Sequence, residues 1–152
     1  MGKKMIAVNK RARREYHVME TFETGLVLLG AEVKSLRLGH VNFKDAYVTI
    51  SRDMQAYIEG LHIGIYRFAA ANFNHSPTRR RRLLMHRREI QRLYGRISEK
   101  GLTVIPLAIY LRRHLIKLEV GLARGKRLYD KRHDLAKRDH DREMQRALKE
   151  RM

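Results

Sequence analysis

Apolar and polar residues alternate with a period of two along much of the chain. Ala46, Val48 and Ile50 alternate with Tyr47 and Thr49, and after the polar turn Ser51-Arg52-Asp53 a second run covers Gln55–Ile63. Successive side chains of a strand point to opposite faces, so this pattern predicts half-buried strands joined by a turn. Further on, Ile116, Leu118, Val120 and Leu122 face one way while Lys117 and Glu119 face the other. The neighbouring run Leu102–Leu111 is apolar apart from Thr103 and Pro106, as for a strand covered on both faces. Proline cannot donate to a ladder, so Pro106 is expected at an edge or a bulge. Arg112-Arg113 links these two runs, although it lacks the Gly or Asn usual in tight hairpins. Tyr16–Phe22 reads as the first strand.

Two stretches carry a helical period. Leu29, Val33 and Leu36 recur at i, i+4, i+7 before Gly39, and Ile90, Leu93, Tyr94 and Ile97 recur at i, i+3, i+4, i+7 before Gly101. Glycine just past a periodic run is a helix stop signal. The pattern therefore predicts a mainly β protein with five or six antiparallel strands and two or three short helices. Many short strands in one small domain suggest a closed antiparallel barrel of the oligonucleotide-binding (OB) type with flanking helices, because closure removes exposed edges. No internal repeat is visible.

Charge changes this picture more than composition does. The 152 residues hold 34 Lys/Arg against 16 Asp/Glu, a net charge of +18, which points to a polyanionic partner: nucleic acid first, an anionic membrane surface second. Three basic clusters carry it. Lys3, Lys4, Lys10, Arg11, Arg13 and Arg14 form an N-terminal arm, Arg79–Arg82 an unbroken run followed by Arg87, Arg88 and Arg92, and the third cluster is the tail from Gly125. The tail has ten Lys/Arg and six Asp/Glu, so most of the excess lies ahead of it. The chain divides accordingly into an arm (1–14), a barrel (15–124) and a tail (125–152). On a helical wheel Ala136, His140, Met144 and Ala147 make a thin apolar stripe, with Lys131, Arg138, Arg142, Arg146 and Lys149 opposite. Several of the tail's i, i+4 pairs repel, so a tail helix is marginal alone and is expected to form against a polyanion.

Candidate chemistry is sparse. The absence of cysteine excludes disulfides, thiolate zinc sites and cysteine nucleophiles. No apolar run reaches membrane-spanning length, and MGKKMIAVNK lacks the apolar core of a signal peptide, so the expected location is the cytoplasm. Eight histidines show no HExxH or HxH spacing, and no Gly-rich phosphate loop is present. No metal, cofactor or small-molecule substrate is therefore expected. His75 and His86 flank the Arg run and leave open a ribonuclease with two histidines as base and acid; contact with RNA is the alternative reading of the pair. Glu23 either starts a turn, sits as a charge at a helix terminus, accepts hydrogen bonds from base amino groups, or orients a neighbouring arginine. Of Leu83, Leu84 and Met85, one or two belong in a core, and an exposed leucine beside arginine suits a nucleobase face. Tyr16, Phe22, Tyr66, Phe68, Phe73 and Tyr94 are expected mostly inside, while Tyr129, in a charged segment, suits base stacking.

The segments NKRARREY (Asn9–Tyr16), FETGLVLLGAEVKSLRLG (Phe22–Gly39), FNHSPTRRRRLLMHRREI (Phe73–Ile90) and GKRLYDKRHDLAKRDHDRE (Gly125–Glu143) resemble, in collinear order, the SsrA-binding protein family, also called small protein B. The resemblance implies a bacterial, non-enzymatic partner of transfer-messenger RNA (tmRNA) with an OB-like barrel. It implies that the barrel binds the tRNA-like domain of tmRNA and stands in for its missing anticodon arm on a stalled ribosome. The tail would fold as a helix in the decoding centre and vacant mRNA channel, so that trans-translation rescues the ribosome and tags the peptide. By motif position Asn9, Glu23 and Leu84 match RNA-binding positions, with Arg11, Arg13, Lys34, Arg37, Arg81 and Arg82 as further candidates. Gly125, Lys126 and Arg127 match a tail hinge, Tyr129 a decoding-centre stacking position, and Asp130, Lys131 and Arg132 the functional DKR. Lys137, Arg138 and Arg142 extend the tail's basic side. The uniform Arg79–Arg82 run, Met85 in place of Leu, and the Arg112-Arg113 link depart from the family pattern.

Overall fold

The computed structural model describes residues 2–69, 74–99 and 101–126, together with residues 142 and 146 of the tail. Among the described residues up to 126, nine strands and three helices follow in the order β1 (Lys4–Val8), α1 (Lys10–Glu15), β2 (Tyr16–Leu26), α2 (Gly30–Arg37), β3 (Val41–Asn42), β4 (Tyr47–Ile50), β5 (Ala56–Glu59), β6 (His62–Ile63), β7 (Arg81–Leu84), α3 (Arg87–Ile97), β8 (Leu102–Arg112) and β9 (Leu115–Gly125). Seven strands make one antiparallel sheet in the order β1-β8-β9-β2-β7-β5-β4, while β3 and β6 pair separately. The protein is mainly β with few short helices. β4, at one end of that order, lies against β8 near the other end, so the sheet curls over its own core. Among the described residues the ladder order is linear, with β1 and β4 at its ends.

The long strands β8 and β9 form where the sequence pattern places them. Pro106 sits at a shift in the β8–β9 register between Pro106 and Ala108, so its missing donor falls at a bulge, as expected. The hairpin turn is Arg113-His114, one residue later than the expected link, because Arg112 pairs with Leu115. Both turn residues have positive φ, 51° and 67°, the backbone of a type I′ turn, held here without the usual Asn or Gly. Gly39, at φ 79°, follows α2 as the stop signal predicts.

Other expectations need correcting. Tyr16 begins the second strand, since Lys4–Val8 already pairs with β8 through Lys4↔Leu111 to Val8↔Ala108. The Gln55–Ile63 run splits at Gly60-Leu61 into β5, which pairs with β4, and β6, which leaves the main sheet for β3. The buried side of α2 is Ala31, Glu32, Ser35 and Leu36, whereas Leu29 is its exposed N-cap. The core is aliphatic: Leu36, Val48, Ile58, Leu61, Ile63, Leu83, Leu93, Val104, Ile109, Leu118, Val120 and Leu122 are all nearly or wholly inaccessible. Each such side chain is worth about 1.5–3 kcal/mol when buried. Of the aromatic residues expected inside, Phe22 is buried, but Phe68 and Tyr94 are exposed and Tyr16 and Tyr66 only half-buried. Branched aliphatics from both β8 and β9, Val104, Ile109, Leu118, Val120 and Leu122, fill the core instead.

Candidate nucleic-acid interface

The outer face of the sheet carries a cross-strand row set by register: Leu84 opposite Gly25, Gly25 opposite Lys117, Lys117 opposite Tyr110, Tyr110 opposite Met5. β7 alternates strictly, so Arg81 and Leu83 point inward and Arg82 and Leu84 outward. Leu84 is 52% exposed and stands over Gly25, where an added Cβ would lie 3.2 Å from the Leu84 Cβ. The missing side chain lets this leucine lean across the neighbouring strand while leaving its outer surface to solvent.

Glu23 is two residues from Gly25 on the same face. Tyr110 donates its hydroxyl to Oε2 of Glu23, and Arg112 Nη1 reaches both carboxylate oxygens, at 2.9 and 2.8 Å. The Tyr110 hydrogen bond first, and then the Arg112 hydrogen bond and charge, hold the Glu23 carboxyl below the usual range against a smaller opposing effect of burial. Burial and the same carboxylate push the Tyr110 phenol well above its ordinary value. Lys3 Nζ lies 4.6 Å from the Tyr110 ring centroid. Of the roles open to Glu23 in the sequence, the structure displays one: it orients an arginine, and Arg112 is a neighbour that sequence reasoning missed. Only the pairing of β2, β9 and β8 brings the two together, 89 positions apart.

Asn9 organises the corner where β1 meets α1. Its Oδ1 accepts from Ala12 N–H at 3.2 Å, capping α1, and its Nδ2 donates to Pro106 O at 2.8 Å. Grooves open on both sides of it. One, about 440 Å³, is lined by Met5, Val8, Arg13, His17, Val18 and Lys126 among others; the other, about 510 Å³, by Lys10, Arg11, Phe43 and Lys44 among others. Arg13 and Arg14 are exposed, and Arg11 pairs with Glu15 at 2.7 Å. Gly125 pairs with Tyr16, and Lys126 N–H donates to Glu15 O at 2.7 Å, so the tail leaves the sheet at this same corner.

Within the Arg run, alternation separates roles that the sequence treats alike. Arg81 is wholly buried, donating Nε to Glu32, Nη1 to Leu61 O at 2.6 Å and Nη2 to Pro77 O at 2.9 Å. This corrects its assignment as an RNA contact: its guanidinium is spent inside the protein. Glu32, equally buried, also binds Arg79 and accepts from Leu29 N–H at 2.8 Å. Burial alone would raise its carboxyl, but the hydrogen bonds from Arg79, Leu29 and Arg81 together outweigh it and leave the group below the usual range. Burial lowers Arg81. Arg80 turns to Glu59 at 3.0 Å and lies 3.7 Å from the Tyr57 ring centroid. Arg82, Lys34 and Arg37 are exposed and remain candidate contacts. Sequence reasoning missed Glu32; the one signal was an acid between Ala31 and Val33 in an otherwise apolar turn.

Arg127, Tyr129, Asp130, Lys131, Arg132, Lys137 and Arg138 lie outside the described residues, as does Phe73; Arg142 is helical and exposed. The two-histidine ribonuclease geometry does not assemble, since His75 is buried with Nε2 on Ile63 O at 2.8 Å while His86 is exposed at the start of α3. Among the described residues no His, Asp or Glu group is arranged to hold a metal, and no described helix is long and apolar enough to cross a membrane.

A model of the SmpB protein family matches residues 6–150, nearly the whole chain. The chain belongs to the SmpB family. Curated SmpB relatives carry the name SsrA-binding protein: one from Moorella thermoacetica is 52% identical over 97% of this chain and 95% of its own, and one from Geobacter metallireducens is 50% identical over 99% and 97%. A solved structure described as "tmRNA-SmpB: a journey to the center of the bacterial ribosome" superposes with a TM-score of 0.68 and 41% identity, covering 85% of this chain and 93% of that one. The SmpB match runs through the Asn9 corner, the Glu23 cluster, Leu84 and on into the tail.

Proposed function

We propose that this protein binds the tRNA-like domain of tmRNA, delivers it to stalled ribosomes and supports trans-translation, without catalysing a reaction itself. The observation that carries the reading is a family match spanning body and tail together, with a related structure described as tmRNA-SmpB in the bacterial ribosome. The body, residues 15–124 with the arm 1–14, acts as the OB-like RNA-binding unit, and the curl of β4 onto β8 supports a nearly closed barrel. Its contacts are the exposed Leu84, Arg82, Lys34, Arg37 and Arg13, with Arg112 held by Glu23. Arg and Lys neutralise phosphates and release counterions, so affinity falls steeply with salt. Asn9 shapes the corner grooves, with both ends of its side chain already bonded within the protein. The tail, 125–152, occupies the decoding centre and empty mRNA channel as a helix, with Gly125, Lys126 and Arg127 as hinge, Tyr129 stacking, and Asp130, Lys131 and Arg132 at the functional centre. This places the work in the cytoplasm.

The test is affinity for the tRNA-like domain against an unrelated structured RNA of equal length at moderate salt. A clear preference for the first supports the reading. Equal affinities would reduce the protein to a general RNA binder. A chain ending at Arg124 should keep RNA binding and lose peptide tagging on stalled ribosomes.

A further inference from the structure

After β6 the chain leaves the small sheet at Gly64, whose N–H donates to His40 O at 2.9 Å, and presents Ile65, Tyr66, Arg67 and Phe68. The return limb pins this segment. Asn74 Oδ1 accepts from Tyr66 N–H at 3.1 Å and its Nδ2 donates to Tyr66 O at 2.9 Å. His75 holds Ile63 O, Ile63 N–H donates to Pro77 O at 2.9 Å, and buried Arg81 ties Pro77 to Leu61. These bonds fix the backbone as far as Tyr66. Beyond it Phe68 is 72% exposed, more than any other large apolar side chain among the described residues. Tyr66 meets Phe68 edge-on at 5.6 Å and 67°, the Arg67 guanidinium carbon lies 4.9 Å from the Phe68 centroid, and Lys34 Nζ lies 5.3 Å from that of Tyr66.

We propose that Tyr66 and Phe68, flanked by Arg67 and Lys34, form a stacking platform for an unpaired nucleobase whose neighbouring phosphates meet the two cations. A ring this exposed contributes little to the core, so the fold does not account for it. Seating the cluster in an apolar pocket of another protein would strip water from Arg67 and Lys34 with no anion in exchange. A nucleotide brings a flat apolar face and a negative charge together, and base–aromatic stacking needs no particular base. Because Tyr66 is pinned in advance and Phe68 rests edge-on against it, binding has less to order. The inference rests on the RNA-binding reading above and adds a contact to it.

The base could come from tmRNA or from ribosomal RNA, and two probes separate these sources: the isolated tRNA-like domain and purified small ribosomal subunits. With the full-length chain, Phe68→Ala should weaken binding to at least one probe about fivefold or more while leaving the melting temperature unchanged. Phe68→Trp should restore affinity and Phe68→Leu should not. The natural chain has no tryptophan, so the emission of Phe68→Trp should be quenched on binding the same probe. Unchanged affinity of Phe68→Ala for both probes, or equal rescue by leucine, overturns the platform. So does intact RNA binding with lost peptide tagging, which would assign the ring to a protein partner. Preference of the unmutated chain for the tRNA-like domain is scored separately, so either reading can fail without the other.

Discussion

Glu23 and Glu32 are two carboxylates in one strongly basic chain, and each grips arginine, yet their surroundings are opposite. Glu32 is wholly inaccessible and holds Arg79 and Arg81, joining α2 to β7 and the turn just before it. Glu23 is about a third exposed and holds Arg112 at the sheet surface. A buried pair that loses one partner leaves an unpaired charge in a medium that solvates it poorly, whereas a surface arginine that loses its carboxylate returns to water. The first is an internal fastening, and the second fixes the direction in which a charge is offered to a ligand.

Removing Glu32 should therefore have the largest effect on stability. Glu32→Gln leaves Arg81 buried and uncompensated and should cost about 3–5 kcal/mol, read as a lowered urea midpoint with an unchanged slope. Glu32→Gln with Arg81→Met should recover part of that loss. A midpoint within experimental error of the parent for Glu32→Gln would show the cluster is not a fastening. Both carboxyls sit below the unfolded glutamic acid value of 4.5. Their contribution is fully present above that pH and is lost as pH falls below it, so urea midpoints should decline on acidification and do so less in Glu32→Gln.

Next in size is RNA affinity. Glu23→Gln should alter stability by less than about 1 kcal/mol but weaken binding to the tRNA-like domain, and Arg112→Gln should do the same. If Glu23 acts through Arg112, the double variant should lose no more than the worse single one. Fully additive losses would instead give each residue its own contact.

The smallest effect concerns the turn that follows Arg112. Left-handed backbone costs roughly 1 kcal/mol at each non-glycine residue. Replacing Arg113-His114 with Asn-Gly should raise stability by about 1 kcal/mol. RNA affinity should stay within about twofold at matched salt, allowing for one lost surface charge. A larger drop would mean that Arg113 itself touches RNA.

Periodicity exposed whatever was repetitive. The β8 and β9 strands, the bulge at Pro106 and the end of α2 at Gly39 follow from local pattern and from the backbone chemistry of proline and glycine. α1 was hidden because all its residues but Ala12 are charged, and β1 because Met5–Val8 is a short apolar run with no alternation, which becomes a strand only because β8 offers an edge. Four consecutive arginines look identical in a sequence. Strand alternation alone decides that Arg81 goes inside and Arg82 out, and the partner that makes a buried arginine tolerable lies 49 residues away. The Glu23–Arg112 contact depends in the same way on three strands taking their register. Family resemblance pointed to Glu23, Leu84 and Asn9, but chemistry assigns them different work: holding an arginine, presenting an apolar surface, and capping a helix at the mouth of two grooves.

The strand that hands over to the tail has a mechanical consequence. β9 is eleven residues long and laddered along nearly its whole length to β8 on one side and β2 on the other. Ladder hydrogen bonds run across the strands. Tension on the tail therefore travels along β9 and loads both ladders in shear, many bonds at once, so the body turns as a rigid piece before it unravels. In an optical trap, extension from residue 126 should need more force than extension through β1, which has one ladder only. Equal forces would remove this role for β9 as the tether point of a chain under load.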